Sequence, residues 1–143
     1  MVVPYQTRCC ELDVQYYVAL VKTPRRAVLL VDDDLAIREA LTEALVEEGF
    51  PVQAAQNGLE ALDWLQDNRG RPCVVLLDLM MPVMDGRTFL GIRRSDPSLS
   101  TIPVIVVSAD GNCADLTRTH GVRGVLHKPI IWEGLVAAIQ DCD

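Results

Sequence analysis

The sequence predicts an α/β protein with a parallel sheet, because short aliphatic runs alternate five times with segments of helical periodicity. Strands that alternate with helices in this way form a parallel sheet with helices on both faces. Half of the residues are hydrophobic, as expected for strands that are covered on both faces. The number of units fits a flavodoxin-like, doubly wound (βα)5 fold with a five-stranded parallel sheet in the order 2-1-3-4-5. The runs are AVLLV (27–31), PVQAA (51–55), CVVLL (73–77), VIVVS (104–108) and GVLH (124–127).

The first two helices follow from residue spacing and from end signals. The segment LAIREALTEALVEE (35–48) has apolar residues at helical spacing and ends before Gly49, a residue type favoured just after a helix C-cap. Asn57 is a candidate N-cap for a second helix within 57–68. The expected apolar face of this second helix consists of Leu59, Ala61, Leu62 and Leu65.

The later units repeat the pattern. CVVLL is the most apolar run, which predicts a strand in the middle of the sheet. A turn at Asp85-Gly86 leads into a short helix at 87–94. The segment 109–121 holds at most a short helix, and the last helix is expected at 131–140.

Length and charge limit the classes of function. The chain of 143 residues predicts one folded domain at 26–143, after an extension of unknown structure at 1–25. A net charge of −7 argues against binding to nucleic acid or to an acidic membrane surface. No apolar run reaches the ~20 residues of a transmembrane helix. Five cysteines without CxxC or zinc spacing are typical of reduced thiols, which predicts a cytoplasmic location.

Polar residues follow four of the five predicted strands. Because parallel strands end at the same edge of a sheet, these residues should converge where such folds bind ligands. The set consists of Asp32, Asp33 and Asp34 after the first strand, Asp78 after the third, Ser108 at the end of the fourth and Lys128 after the fifth.

This set predicts phosphoryl chemistry at a magnesium site. Carboxylates this close repel each other unless a cation lies among them, and hard oxygen ligands suit Mg²⁺. Asp78 would then be the nucleophile, with Lys128 neutralising the phosphoryl oxygens and Ser108 donating a hydrogen bond. Asp33 or Asp34 is also expected to cap the first helix.

Four motifs resemble the receiver domain of two-component response regulators: VDDD (31–34), LLDLMMPVMDG (76–86), VIVVSAD (104–110) and LHKP (126–129). The resemblance covers residues 26–141. It implies a Mg²⁺-dependent phospho-acceptor supplied by a sensor histidine kinase or a histidine phosphotransfer protein. It also implies signalling through protein contacts, so the chain is not expected to be an enzyme.

The resemblance assigns roles to single residues. It implies that Asp78 is the phospho-acceptor, Ser108 the switch hydroxyl and Lys128 the phosphate-binding lysine, with a cis peptide bond before Pro129. The implied metal ligands are Asp33 and Asp78 directly, Asp32 through a water molecule, and the backbone carbonyl of Met80.

Two features depart from the receiver pattern. Val125 stands where the family usually has Tyr or Phe, three residues before the lysine, and the segment between Ser108 and Lys128 is short. Because the sequence ends at Asp143, soon after the last predicted helix, a stand-alone receiver is expected, monomeric or weakly dimeric. Its downstream protein target would bind the face formed by the fourth helix, fifth strand and fifth helix.

Two alternatives remain at this stage. A degenerate receiver would bind its partners without phosphorylation, and Val125 is the sequence feature that favours it. A haloacid dehalogenase-like phosphatase would use Asp32 and Asp34 with Ser108 and Lys128. That second alternative gives no role to Asp78.

Overall fold

The computed structural model describes residues 26–109, 111, 113 and 115–142, so the predicted extension at 1–25 lies outside the described residues. The predicted fold class and strand order are confirmed. All strand pairs are parallel, and the order in the sheet is β2-β1-β3-β4-β5. The strands are β1 (Ala27–Val31), β2 (Val52–Ala55), β3 (Cys73–Asp78), β4 (Val104–Ser108) and β5 (Gly124–His127).

Five helices connect or follow these strands in the described part of the chain. The predicted end signals act as expected at the first two. The side chain of Asn57 accepts the N–H of Glu60, and Gly49, at φ 96°, follows the C-cap of the first helix. The helices are α1 (Leu35–Glu47), α2 (Gly58–Asp67), α3 (Gly86–Ser95), α4 (Leu116–His120) and α5 (Trp132–Gln140).

The sheet has a hydrophobic core on each face. One core packs β-strand side chains against α2, α3 and α4, and the other packs them against α1 and α5. All six residues of β3 are buried, as predicted for the central strand. Because both faces are covered, polar groups of the strands become accessible only where the strands end.

The predicted apolar face of α2 is wrong at one residue, Leu59. Leu59 is 48% exposed, whereas Gly58, Ala61, Leu62 and Leu65 are the buried residues of α2. At 100° per residue, Leu59 lies roughly a quarter turn away from the centre of the buried stripe. The sheet therefore covers a narrower face than the leucine spacing predicted.

None of the helices in the described part of the chain is long and apolar enough to cross a membrane.

Candidate functional site

The predicted polar residues converge at the carboxyl edge of the sheet. Asp32 follows β1, Asp78 and Ser108 are the last residues of β3 and β4, and Lys128 follows β5. One carboxylate oxygen from each of Asp32, Asp33 and Asp78 lies within 4.8 Å of the other two. The topology therefore brings together side chains that are far apart in the sequence.

Asp78 is a buried member of this group, 7% exposed against 4% for Asp32. Its side chain is buried, and one oxygen, Oδ1, accepts the N–H of Met80 at 3.2 Å. Burial raises the pKa of the Asp78 carboxyl above its ordinary value. The Met80 N–H and Lys128 act in the opposite direction, while the charges of Asp32 and Asp33 add to the increase.

Lys128 places its ammonium between two carboxylates. Its Nζ lies 3.6 Å from Oδ2 of Asp78 and 3.7 Å from Oδ2 of Asp32. Its backbone N–H donates to the carbonyl of Ser108 at 3.0 Å, which joins the ends of β4 and β5. The Lys128–Pro129 bond is cis, as expected. The ammonium faces the oxygen of Asp78 that Met80 leaves available.

Asp32 is held in place from two directions. Its Oδ1 accepts the N–H of Asp34 at 2.9 Å, and its backbone carbonyl accepts Nη1 of Arg38 at 2.8 Å. Arg38, which lies one turn into α1, was not among the predicted site residues. The sequence signal that could have indicated it is its position six residues after Asp32, on the helix that follows the acidic run. Arg38 keeps the turn after β1 close to the first helix.

Asp34 has a different task from its two neighbours. Its Oδ1 accepts the N–H groups of Ala36 at 2.9 Å and Ile37 at 3.2 Å, so it is the N-cap of α1. Asp33 is left for the acidic group. The phosphatase alternative needs Asp32 and Asp34 as a pair, and the capping role of Asp34 argues against it.

The acidic group suits a small divalent cation. Three carboxylates that converge this closely repel each other in the absence of positive charge, and Mg²⁺ prefers oxygen ligands of this kind. Lys128 offsets only part of the negative charge. Asp32, Asp33 and Asp78 thus have the chemistry of a Mg²⁺ site.

The loop from β3 to α3 closes tightly against the end of β3. The N–H of Gly86 donates to the carbonyl of Leu79 at 2.9 Å. A Cβ atom on Gly86 would lie 2.7 Å from Cα of Leu79 and 2.8 Å from the carbonyl oxygen of Asp78. Asp85 caps α3 by accepting the N–H of Thr88 at 2.8 Å. The glycine is therefore required by the close approach of two backbone segments.

Two apolar side chains of this loop point outward. Met80 is 72% exposed and Val83 is 80% exposed. Val83 also has φ 69°, a left-handed conformation that is costly for a β-branched residue. The loop beside Asp78 is thus both exposed and strained.

Val125 lies in β5, half-buried, and packs against the core beneath α2, α3 and α4. It is one of four partly buried apolar residues at the margin of that core. The smaller side chain at this position fills part of the core instead of presenting an aromatic ring.

Comparisons with known proteins agree with this geometry. A sequence family described as response regulator receiver domain matches residues 28–140. Response regulator MprA of Mycobacterium sp. (strain KMS) is 36% identical over 79% of this chain and 48% of its own length. The transcriptional regulatory protein CpxR homolog of Haemophilus influenzae is 40% identical over 79% of this chain and 48% of its own. The chain therefore spans about half the length of these curated relatives.

Solved structures give the same result. Response regulator protein TrrA of Thermotoga maritima, in complex with Mg²⁺-BeF, has a TM-score of 0.72 and 27% identity. That comparison covers 82% of this chain and 99% of the other. The chemotaxis response regulator CheY4 of Vibrio cholerae has a TM-score of 0.73 and 29% identity, with 82% and 98% coverage.

Proposed function

This chain belongs to the response regulator receiver domain family of two-component signalling systems, and we propose that Asp78 is its phospho-acceptor. The donor is a sensor histidine kinase or a histidine phosphotransfer protein. One observation supports this most strongly: the buried Asp78 carboxylate lies within the acidic group and 3.6 Å from the Lys128 ammonium. A carboxylate that served only to cap a turn would have no need of the other groups.

The transfer replaces one bond by another. An oxygen of the Asp78 carboxylate forms a bond to phosphorus while the P–N bond of the donor's phosphohistidine breaks, and the imidazole leaves with that electron pair. The Lys128 ammonium neutralises charge on the phosphoryl oxygens, and the Ser108 hydroxyl donates a hydrogen bond to one of them. The product is an aspartyl phosphate on the end of β3.

The proposed metal ligands are Asp33 and Asp78 directly, Asp32 through a water molecule, and the backbone carbonyl of Met80. A Mg²⁺ ion at this position supplies positive charge that offsets the repulsion between carboxylates and phosphoryl oxygens. The chain's own contribution is to hold Asp32 through Arg38 and Asp78 through the Met80 N–H. The relative TrrA was solved with Mg²⁺-BeF, which supports extending a metal site to this chain.

The test is phosphorylation by a small donor. The purified protein is incubated with acetyl phosphate and Mg²⁺, and its intact mass is measured. We expect one phosphoryl adduct that disappears in Asp78→Asn and in excess EDTA. Asp63→Asn, which changes an exposed carboxylate on α2, is the matched control and should retain the adduct. An adduct that persists in Asp78→Asn would assign the acceptor to another residue.

The proposed output is a protein contact on the face formed by α4, β5 and α5. Val125 is the observation that favours a second candidate, a degenerate receiver that binds partners without phosphate. To distinguish the two candidates, a partner is first captured with the phosphorylated protein, and its affinity is then measured for the phosphorylated protein and for Asp78→Asn. Equal affinity for phosphorylated protein and for Asp78→Asn would favour the degenerate receiver.

Several expectations stay predictions. Action without an attached output domain, a monomeric or weakly dimeric state and a cytoplasmic location belong to this group. Absence of nucleic-acid binding by the whole protein belongs there too, since the relatives are about twice as long and one is named a transcriptional regulatory protein. The acidic charge of this chain supports protein partners.

A further inference from the structure

The amino edge of the sheet, opposite to the acidic group, holds a cavity of about 190 Å³. It lies between the turn that follows α2, the start of β1 and the segment that precedes β4. Three arginines line it, Arg26, Arg69 and Arg71, and none of its lining residues in the described part of the chain is acidic. This concentration of positive charge occurs in a chain with 20 acidic and 13 basic residues.

One wall of the cavity is fixed by a buried arginine. Arg93 is 4% exposed and donates from Nε to the carbonyl of Ile102 at 2.9 Å and from Nη2 to that of Ser100 at 3.2 Å. Its Nη1 donates to the carbonyl of His120 at 3.0 Å. The segment that lines the cavity is thereby held to α3 and α4. Arg93 also adds a positive charge behind this wall.

The opposite wall is a tight turn. Gly70 has φ 81°, and the N–H of Arg71 donates to the carbonyl of Asn68 at 3.1 Å. The guanidinium of Arg71 lies over the ring of Trp64, 5.7 Å from its centroid. Stacking on an aromatic face restricts the guanidinium plane while its N–H groups stay available. Both walls are therefore formed before any ligand arrives.

Two of the three arginines of this cavity, Arg69 and Arg71, are exposed. Within the described residues, neither Arg69 nor Arg71 has a carboxylate oxygen within salt-bridge distance of its side chain. Asp96 is the acid next to the wall, and its carboxyl pKa lies below the ordinary value, mainly because Ser98 donates two hydrogen bonds to its Oδ1 and to a smaller extent because of the charge of Arg69. Asp96 therefore offsets part of the positive charge of Arg69, whereas Arg71 has no carboxylate within salt-bridge distance in the described part of the chain.

We propose that this cavity is a binding site for a small phosphate-type anion, held by the guanidinium groups of Arg69 and Arg71. Planar guanidinium groups match the oxygens of phosphate in paired hydrogen bonds. The volume exceeds what one such anion needs, and the half-buried Ile102 adds apolar surface to the lining. This site is independent of the acidic group and does not require phosphorylation of Asp78.

The experiment is a titration of the full chain with pyrophosphate, followed by amide nitrogen–proton correlation spectra. EDTA is present, so that a metal-dependent complex at the acidic group does not form. We expect saturable shifts confined to residues 68–73 and 98–103. Arg69→Gln with Arg71→Gln should weaken the affinity by about tenfold or more, as expected for loss of charge-assisted hydrogen bonds.

The matched control removes the same charge elsewhere. Arg94 and Arg118 are exposed helical residues that do not line the cavity, and Arg94→Gln with Arg118→Gln should leave the affinity within about twofold. Both double variants should still accept phosphate on Asp78, which verifies their folding. The proposal is overturned by affinity weaker than about 10 mM, by shifts centred on Lys128, or by equal loss of affinity in the two double variants.

Discussion

The two edges of the sheet carry opposite charge, although the same strands form both. At the carboxyl edge, three carboxylates converge and one lysine lies between two of them, whereas at the amino edge three arginines line a cavity without an acid among its described lining. A chain with net charge −7 has therefore not mixed its charges evenly. Net charge therefore describes this molecule poorly, since without a bound cation an anion would be repelled at the carboxyl edge and attracted at the amino edge.

The edges also differ in how their charged groups are positioned. At the carboxyl edge, backbone N–H groups donate to carboxylates, as Asp34 does to Asp32 and Met80 does to Asp78. At the amino edge, the guanidinium of Arg93 donates to backbone carbonyls. Each edge thus uses the backbone group that complements its own charge.

Replacing Lys128 should produce the largest effect, because it makes the carboxyl edge wholly acidic. In Lys128→Ala we expect phosphorylation by acetyl phosphate to slow by about 10²–10³-fold, as when a charge-stabilising donor is removed from a reacting group. The rate is measured by intact mass over time. Arg118→Ala, an exposed control on α4, should keep the original rate. An unchanged rate in Lys128→Ala would remove this residue from the proposed chemistry.

The second prediction concerns the buried Arg93, whose guanidinium holds the backbone at the amino edge. Arg93→Met keeps an apolar side chain in the space but leaves three carbonyls without their donor, which should lower the free energy of unfolding by about 2–3 kcal/mol. Chemical denaturation measures the loss. Its exposed neighbour gives the control, and Arg94→Met should change stability by less than about 0.5 kcal/mol. Equal stability of the two variants would contradict a structural role for the buried guanidinium.

Gly86 and Gly91 make a matched pair in α3. A Cβ on Gly86 would meet the backbone of Leu79 and Asp78, whereas nothing lies within 4 Å of a Cβ on Gly91. Gly86→Ala should therefore cost about 2 kcal/mol through overpacking and slow the phosphorylation of Asp78. Gly91→Ala should stabilise the helix by up to about 1 kcal/mol. Similar effects from both variants would argue that helix propensity, and not close approach, decides the outcome.

The smallest expected effect sharpens the description of the loop beside Asp78. Val83 has φ 69° and an exposed side chain, so Val83→Gly removes strain without losing packing. The relief should exceed the entropy that glycine adds to the unfolded chain and stabilise the protein by about 0.5–1 kcal/mol. Thermal unfolding measures the change. A loss of stability would show that the valine side chain contributes packing that its exposure conceals.

The sequence was most informative where chain order and geometry coincide. Asp78, Ser108 and Lys128 were predicted to meet because each ends or follows a strand, and parallel strands bring such residues to one edge. The central place of β3 followed from its composition. The capping role of Asp34, in contrast, had to be chosen between two neighbours, because either side chain satisfies the sequence preference.

Other features depend on packing that spacing does not encode. Leu59 was expected on the buried face of α2, and its exposure depends on which stripe the sheet covers. Arg93 contacts segments that lie up to 27 residues away, a relation that no local pattern carries. The arginine-lined cavity is formed by the turn after α2, the start of β1 and the segment before β4. No sequence motif marks Arg26, Arg69 and Arg71, and only the folded structure brings them to one cavity.

The contact between Arg93 and the carbonyl of His120 has a mechanical consequence for the proposed partner face. It fixes the last residue of α4, a helix of five residues whose N-cap, Asp115, makes no side-chain capping bond. Such a helix is about 7 Å long, so a tilt of about 20° about the fixed end moves its other end by about 2–3 Å. Because the helix is short, a tilt moves its free end only a small distance. A partner that senses a tilt of α4 must therefore detect a sideways shift of only about 2–3 Å.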